Sequence, residues 1–142
     1  MKIRKQAITL LEIMIVIFII GIIGSVIGYN MKGSMDEGRA YRSEHGSKQV
    51  HDLLTLKIAE GYNIEEVLGD APTFLKQTGF VSNPTKLLKD GWNQNYEIRR
   101  INEDEFIVYS PKWHHFLHDK KKVGDDRLIE DYPWAFHFDE EK

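Results

Sequence analysis

Apolar residues are concentrated in one uninterrupted run near the start of the chain. From Ile13 to Tyr29 seventeen consecutive residues carry no charge, and eight of them are isoleucine. This run is longer than an ordinary strand of about 4–8 residues, so its length predicts a helix. The 24 residues from Ile8 to Met31 would form a helix of about 36 Å, enough to cross a hydrocarbon core of about 30 Å. We therefore expect a membrane-spanning helix over residues 8–31.

Beyond this run the apolar positions become periodic. Val50, Leu53, Leu54 and Ile58 follow the i, i+3, i+4, i+8 spacing of one helix face. The pattern predicts that the helix continues as an amphipathic segment over 32–60 and ends at 61–63, where Gly-Tyr-Asn is a typical stop. The apolar stripe is expected to pack against a C-terminal head. A surface that binds a partner is the alternative.

The remaining sequence predicts a small α+β head over residues 61–142. Short apolar clusters broken by glycine and proline indicate one or two short helices in 63–77, followed by loops at 79–81 and 83–84. We therefore expect an α+β fold in which the long N-terminal helix packs on a small antiparallel sheet.

Two strands of that sheet can be located from the residue pattern. Residues 96–101 and 105–109 are rich in aromatic and β-branched side chains, and the polar segment 102–104 between them predicts a hairpin turn. Pro111 ends the second strand. The aromatic segment 134–138 is a candidate for a further short strand.

Charge divides the chain into two parts. The 142 residues carry a net charge of −3 and include no cysteine, which excludes a multidomain enzyme and a disulfide-stapled mini-protein. The mild acidity argues against a nucleic-acid partner. Within residues 6–31 Glu12 is the single charged residue. Basic residues at Lys2, Arg4 and Lys5 orient the N-terminus to the cytoplasm and the head to the periplasm.

Glu12 distinguishes three interpretations of the apolar segment. A secretory signal peptide has an apolar core of only about 7–15 residues and a small-residue cleavage site. A plain single-span anchor, here carrying a periplasmic binding module, has no use for a carboxylate that costs a few kcal/mol inside a membrane. The third interpretation is a membrane segment in which Glu12 makes a specific contact.

The sequence Lys5-Gln6-Ala7-Ile8-Thr9-Leu10-Leu11-Glu12 with its apolar run resembles the prepilin signal of type IV pilins and type II secretion pseudopilins. The resemblance implies cleavage by a prepilin peptidase between Ala7 and Ile8, with methylation of the new N-terminus and residues 1–7 as the leader. Glu12 would be the fifth mature residue and would pair with the amine of a neighbouring subunit. The family usually has glycine and phenylalanine where this chain has Ala7 and Ile8.

A second segment narrows the resemblance. Asp90-Gly91-Trp92-Asn93-Gln94-Asn95-Tyr96 is similar to the Asp-Pro-Trp-Gly-Asn-Pro-Tyr signature of major pseudopilins of type II secretion, and it matches at Asp90, Trp92 and Tyr96. The implied function is a homopolymeric periplasmic filament subunit that helps protein export in a Gram-negative-type envelope. The implied partners are minor pseudopilins and an inner-membrane assembly platform with a cytoplasmic ATPase. A type IV or competence pilin is the alternative within the superfamily.

Other candidate sites carry weaker signals. Gly24 and Gly28 have the small-xxx-small spacing that lets membrane helices approach closely. The resemblance implies a possible calcium site, for which Asp125 and Asp126 are the candidates, although Lys120–Lys122 are poor neighbours for a dication. His114, His115 and His118 suggest a zinc or copper site, with an exposed or half-packed loop as the favoured interpretation.

Trp92, Trp113 and Trp134 are expected in packing contacts. No catalytic motif is present, so we expect a protein that is not an enzyme.

Overall fold

The computed structural model describes residues 9–138. The chain forms two compact units, residues 1–36 and residues 37–142, which we call the N-terminal unit and the head unit. Helix α1, Leu10–Ala59, contributes to both units. The expected α+β fold is confirmed, because a long N-terminal helix and a small antiparallel sheet are its main elements.

The described part of the N-terminal unit is apolar helix with no buried side chain. Every described side chain from Thr9 to Met35 is exposed, including isoleucines such as Ile17 and Ile20, which are 63% and 62% exposed. This part of α1 is long and apolar enough to cross a membrane. Because exposed isoleucine is unfavourable in water, this surface requires another apolar environment.

In the head unit one face of α1 is buried. Val50 and Leu54 are fully buried, and Leu53 and Ile58 are partly buried against the same core, as the periodicity predicts. The helix ends as expected near Gly61, whose φ of +109° reverses the chain at low cost because glycine has no Cβ.

Three short helices follow α1. Helices α2, Ile64–Gly69, and α3, Ala71–Gln77, match the prediction of short helices in this region. Helix α4 spans Pro84–Leu87 and so begins within residues 83–84, for which the sequence predicts a loop. The difference has a local cause: the Asn83 side chain accepts a hydrogen bond from the Lys86 N–H at 3.2 Å, and proline is favourable at the first helical position.

The predicted hairpin is confirmed. Strands β1, Glu97–Arg100, and β2, Phe106–Tyr109, pair antiparallel, with Glu97 opposite Tyr109 and Arg100 opposite Phe106. All four residues of β2 are buried, because the strand lies between two hydrophobic clusters. Its alternate side chains enter different clusters, and this explains why β2 has no polar face.

The two clusters join different elements to the sheet. Phe106 and Val108 pack with Val50 and Leu54 of α1 and with α2 and α3. Ile107 and Tyr109 pack on the opposite side with a C-terminal aromatic cluster whose buried members include Trp113, Phe116, Leu128 and Phe136. Trp92 and Trp134 lie at the edge of this second cluster, so all three tryptophans serve packing, as expected.

Two expectations for the C-terminal region are wrong. Residues 113–119 belong to helix α5, Pro111–Asp119, rather than to a loop, because the Ser110 hydroxyl accepts from the Trp113 N–H at 3.2 Å and caps a helix that starts with proline. Segment 134–138 is not a strand: after α6, Asp125–Asp131, the N–H groups of Ala135 and Phe136 both bond to the Tyr132 carbonyl. Within this turn the Trp134 carbonyl accepts a backbone hydrogen bond from the Val108 N–H of β2 at 2.9 Å.

Candidate functional site

Glu12 lies in the first turn of α1. Its backbone N–H donates to the Thr9 hydroxyl at 3.2 Å, and the Ile13 N–H donates to the Thr9 carbonyl at 3.3 Å. Thr9 therefore caps the helix, and Glu12 occupies the acidic position of a Thr-x-x-Glu capping pattern. The predicted cleavage and methylation at Ala7 and Ile8 lie outside the described residues.

Gly24 and Gly28 face open space in the single chain. A methyl group built at either position would meet nothing within 4 Å beyond the adjoining residues and backbone of its own helix. Between them, the Ser25 hydroxyl donates to the Gly21 carbonyl at 2.8 Å, so its polar group is satisfied inside the helix. Any close approach at these glycines therefore needs a second chain, and their packing role stays a prediction.

Asp90 organises the loop that enters the sheet. Its side chain is 1% exposed, and one carboxylate oxygen accepts from the N–H groups of Trp92 at 2.9 Å and Gln94 at 3.0 Å. The other oxygen accepts from the Ser110 hydroxyl at 2.8 Å. Because these donors satisfy the buried carboxylate, Asp90 fixes the loop and connects it to the start of α5.

Two of the four departures from the pseudopilin signature, at Gly91 and Asn93, have structural reasons. Gly91 stands where the signature has proline, and a Cβ there would lie 2.0 Å from the Arg39 carbonyl oxygen, so only glycine fits against α1. The Gly91 N–H also donates to the Ser43 hydroxyl at 2.9 Å. Asn93 stands where the signature has glycine and adopts a φ of +62°, a conformation that asparagine tolerates better than most residues.

Tyr96 completes the attachment of this loop to α1. Its hydroxyl donates to the Ser43 carbonyl at 3.0 Å, and a Cβ at Gly46 would lie 2.6 Å from that hydroxyl oxygen. Burial raises the pKa of Tyr96 well above its usual range, so the hydroxyl stays a donor. The structure thus brings the three matched residues, Asp90, Trp92 and Tyr96, into one junction between helix and sheet.

Asp125 lies beside two of the three histidines singled out in the sequence. Its Oδ1 is 3.1 Å from Nε2 of His114 and 3.1 Å from Nε2 of His118. Hydrogen bonding to His114, together with the charge of both imidazoles, lowers the pKa of the Asp125 carboxyl. Asp126 is exposed and does not belong to this group, and His115 instead pairs with Asp119 at 2.9 Å.

The α1 side of the junction was missed by the sequence analysis. Ser43 and Ser47 are fully buried, and the Ser47 hydroxyl accepts from the Trp134 indole N–H at 2.9 Å. The available signal was the small-residue series Ala40, Ser43 and Ser47, which has the spacing of one helix face just before the apolar stripe. Because these side chains are small, the periodicity of large apolar residues starts only at Val50, and the buried face extends further toward the N-terminus than that periodicity predicts.

Comparison with known proteins identifies relatives but no solved counterpart. No protein-family profile and no solved structure matches the chain. It is 35% identical over 113 residues to a protein of Chlamydia trachomatis serovar D named "Putative outer membrane protein", a match that covers 78% of this chain and 91% of that protein. A Chlamydia muridarum protein of the same name matches with the same values. A Chlamydia pneumoniae relative is 35% identical over 112 residues, 77% of this chain and 90% of its own length.

The matches cover 77–78% of this chain and 90–91% of the relatives, so they extend well beyond one short shared segment. Together with the exposed apolar part of α1, the relatives' names indicate a membrane-associated protein. The chain belongs to the family that these chlamydial proteins form.

Proposed function

We propose that this protein is a structural subunit of a type II secretion pseudopilus. A prepilin peptidase cleaves it between Ala7 and Ile8, and the first part of α1 holds the mature chain in the inner membrane with the head in the periplasm. An inner-membrane platform driven by a cytoplasmic ATPase then polymerises it with minor pseudopilins. Growth of the filament helps move substrates across the outer membrane.

The observation that carries this proposal is the contrast along α1. Its first part exposes every described side chain, whereas the part within the head unit buries one face against the sheet and the short helices. A filament subunit needs such a helix, because the apolar segment must be covered by lipid before assembly and by other subunits afterwards. The −6 net charge expected after loss of the three basic leader residues suits a soluble periplasmic head.

The position of Glu12 supports assembly through the membrane segment. Its carboxylate stands in the first turn of α1 and is exposed, so it is available to the amine that cleavage before Ile8 would create on a neighbouring chain. A carboxylate enclosed by apolar helices is strongly unfavourable without a positive partner. Pairing with that amine would neutralise both charges and set the register of an incoming subunit.

The test is mass spectrometry of the N-terminus after co-expression with an active prepilin peptidase. We expect a chain that begins with N-methylated Ile8. A known prepilin expressed in the same cells serves as the control for peptidase activity. If the control is processed and this chain keeps Met1, it is an anchored protein with a periplasmic domain and the proposal is wrong.

Fractionation tests the proposed location separately. The relatives' names refer to the outer membrane, whereas a pseudopilus subunit starts from the inner membrane. We expect the unassembled chain to sediment with inner-membrane markers when the assembly platform is absent. Exclusive recovery with outer-membrane markers under that condition would contradict the inner-membrane anchor.

Deletion phenotypes distinguish secretion from the pilin alternatives. Loss of the gene should leave secreted proteins in the periplasm while surface pili and DNA uptake remain normal. The opposite pattern would identify a type IV or competence pilin.

A further inference from the structure

Helix α5 and helix α6 bring three metal-ligating side chains to one point on the head unit. His114 and His118 lie one turn apart on α5, and Asp125 is the first residue of α6. The nearest ligand atoms of the three side chains, two imidazole nitrogens and one carboxylate oxygen, all lie within 4.8 Å of one another. This separation is small enough for a single ion to reach all three.

The distances suit a tetrahedral transition-metal site. With bonds of about 2.0–2.1 Å, neighbouring ligand atoms around zinc lie roughly 3.3 Å apart. The two distances from Asp125 Oδ1 to the histidine Nε2 atoms are 3.1 Å each. The two histidine nitrogens lie within 4.8 Å of each other, so small side-chain rotations would have to bring them closer together for one ion to bind all three ligands.

The His114 ring is already oriented for binding through Nε2. Its Nδ1 lies 2.6 Å from the Tyr109 hydroxyl, and its ring packs against Phe136 and Phe138 with centroid distances of 5.7 and 4.9 Å. When Nε2 binds a metal ion, the ring hydrogen must reside on Nδ1, where the Tyr109 oxygen can accept it. Such an outer partner fixes the ring and its tautomer in metal sites.

Solvent can reach the remaining coordination position. The side chains of His118 and Asp125 are 49% and 47% exposed, whereas that of His114 is 21% exposed. The site thus combines one anchored ligand with two accessible ones. Three protein ligands and a water molecule satisfy a tetrahedral ion.

The neighbouring lysines weaken binding without blocking it. Of Lys120, Lys121 and Lys122, the middle one forms an ion pair with Glu37 of α1, which neutralises part of the positive charge. The carboxylate of Asp125 offsets a further charge at the ligand itself. We therefore expect moderate rather than extreme affinity.

We propose that His114, His118 and Asp125 form a binding site for a borderline transition-metal dication, with Zn²⁺ as the foremost ligand. Two imidazoles and one carboxylate are typical zinc ligands, whereas Ca²⁺ requires about 6–8 oxygen ligands and gains little from imidazole nitrogen. The bound ion would join α5 to α6 and close the intervening Lys120–Gly124 segment. It would thereby stabilise the aromatic side of the head.

The experiment uses the tag-free full chain in detergent, stripped of metal with a chelator. Zn²⁺ binding is measured by competition with a chromophoric chelator, and Co²⁺ is added as a spectroscopic probe. We expect one Zn²⁺ per chain, a rise in Tm that saturates at the same stoichiometry, and visible Co²⁺ absorption of the intense tetrahedral kind. A hundredfold excess of Ca²⁺ should leave the Zn²⁺ bound.

Matched variants separate this site from unspecific histidine binding. His118→Gln and Asp125→Asn should each weaken Zn²⁺ binding at least tenfold, and Tyr109→Phe should weaken it several-fold. His115→Gln is the control, because His115 lies on the same helix, is 76% exposed and pairs with Asp119 outside the site. It should change the affinity less than twofold.

Circular dichroism and Tm without metal verify that each variant is folded, and both altered ligands are exposed enough for substitution to be tolerated. Absence of saturable Zn²⁺ binding to the folded wild-type chain would overturn the proposal. Equal losses from His115→Gln and His118→Gln would overturn it as well, as would displacement of Zn²⁺ by Ca²⁺.

Discussion

Glu12 uses different groups for the helix and for the proposed assembly contact. Its backbone N–H completes the cap with the Thr9 hydroxyl, while its carboxylate is exposed in the single chain. The two roles are therefore separable by substitution. A side-chain change at Glu12 keeps the N–H that the cap needs.

We predict that Glu12→Ala leaves insertion and peptidase cleavage intact but abolishes filament formation. The buried amine of a neighbouring subunit would lose its counter-charge, which costs several kcal/mol in an apolar environment. Sheared filaments and membrane-bound monomer can be quantified by immunoblotting. Thr9→Ser, which keeps the capping hydroxyl, is the control, and normal filaments from the Glu12→Ala chain would disprove the pairing.

Gly91, in the loop over residues 90–96, lies directly against the backbone of α1 at Arg39. We predict that Gly91→Ala lowers the free energy of unfolding of the head by about 1–3 kcal/mol, because the added methyl group would overlap backbone atoms of Arg39 that cannot rotate away. Thermal unfolding of the detergent-solubilised chain measures the effect. Gly69→Ala has open space around the added methyl and should change stability by less than about 0.5 kcal/mol. Equal effects would show that contact at Gly91 is not the cause.

Residue identity alone predicted part of this junction. Asp90, Trp92 and Tyr96 were found because they match a known signature. The α1 residues that hold this loop lie 48 to 53 residues earlier in the chain: Ser43 contacts Gly91 and Tyr96, and Gly46 contacts Tyr96. Small polar residues on a helix give no hydrophobic periodicity. Their burial depends on the loop that covers them, so it emerges only when the chain is folded.

At the scale of single elements, α1 presents glycine on a surface that no other part of residues 9–138 covers. We predict that Gly24→Leu and Gly28→Leu leave head stability unchanged but reduce filament assembly, because large side chains would separate neighbouring helices. Gly33→Leu is the matched control: it also has open space around it and lies on roughly the opposite side of the helix from Gly24 at about 100° per residue. Equal losses at all three positions would indicate a general effect of added side chains.

The elements with strong local signals were predicted well. The apolar stripe on α1, its glycine stop and the hairpin rest on periodicity and turn residues, which act within a few positions of the chain. The strand predicted for residues 134–138 is absent because tertiary packing, rather than local sequence, determines the conformation there. The segment's aromatic composition suits a strand, but Phe136 and Ala135 are buried in the second cluster, and the turn at Tyr132 determines how the segment enters it.

The candidate metal site also combines a local sequence signal with a tertiary arrangement that the sequence does not reveal. The spacing of His114 and His118 was visible in the sequence, but their helix and their proximity to Asp125 depend on the Ser110 cap and on the packing of α5 and α6. A three-residue site drawn from two helices cannot be predicted from spacing on one of them.

At the scale of the whole molecule, His51 connects α1 with the sheet. Its Nε2 lies 3.1 Å from the Phe106 carbonyl oxygen, and its ring stacks on the Phe106 ring. Burial lowers the pKa of His51, although the Phe106 hydrogen bond and Asp52 partly oppose this effect and Lys48 adds to it. The folded chain therefore takes up a proton at this site at lower pH than the unfolded chain does.

We predict that this difference makes the head less stable in mild acid. As the pH falls through the unfolded-state pKa of about 6.5, the unfolded chain binds the proton first and the free energy of unfolding decreases. His51→Gln keeps an N–H donor for Phe106 but does not titrate, so its Tm should fall less between about pH 7.5 and about pH 5.5. Comparing the two proteins cancels the contribution of other titrating groups, and parallel pH profiles would exclude His51 as the cause.

The division of α1 between two compact units also has a consequence for amide hydrogen exchange. From Glu37 onward the helix belongs to the unit that contains both hydrophobic clusters, so its buried amides should exchange mainly through opening of the whole head. The amides of residues 10–35 have helical bonds, and every described side chain there is exposed, so lipid, detergent or neighbouring helices must set their protection. Although α1 is one continuous helix, we therefore expect its two segments to take up deuterium at different rates. Replacing detergent by lipid should change the uptake rate of the first segment and leave that of the second unchanged.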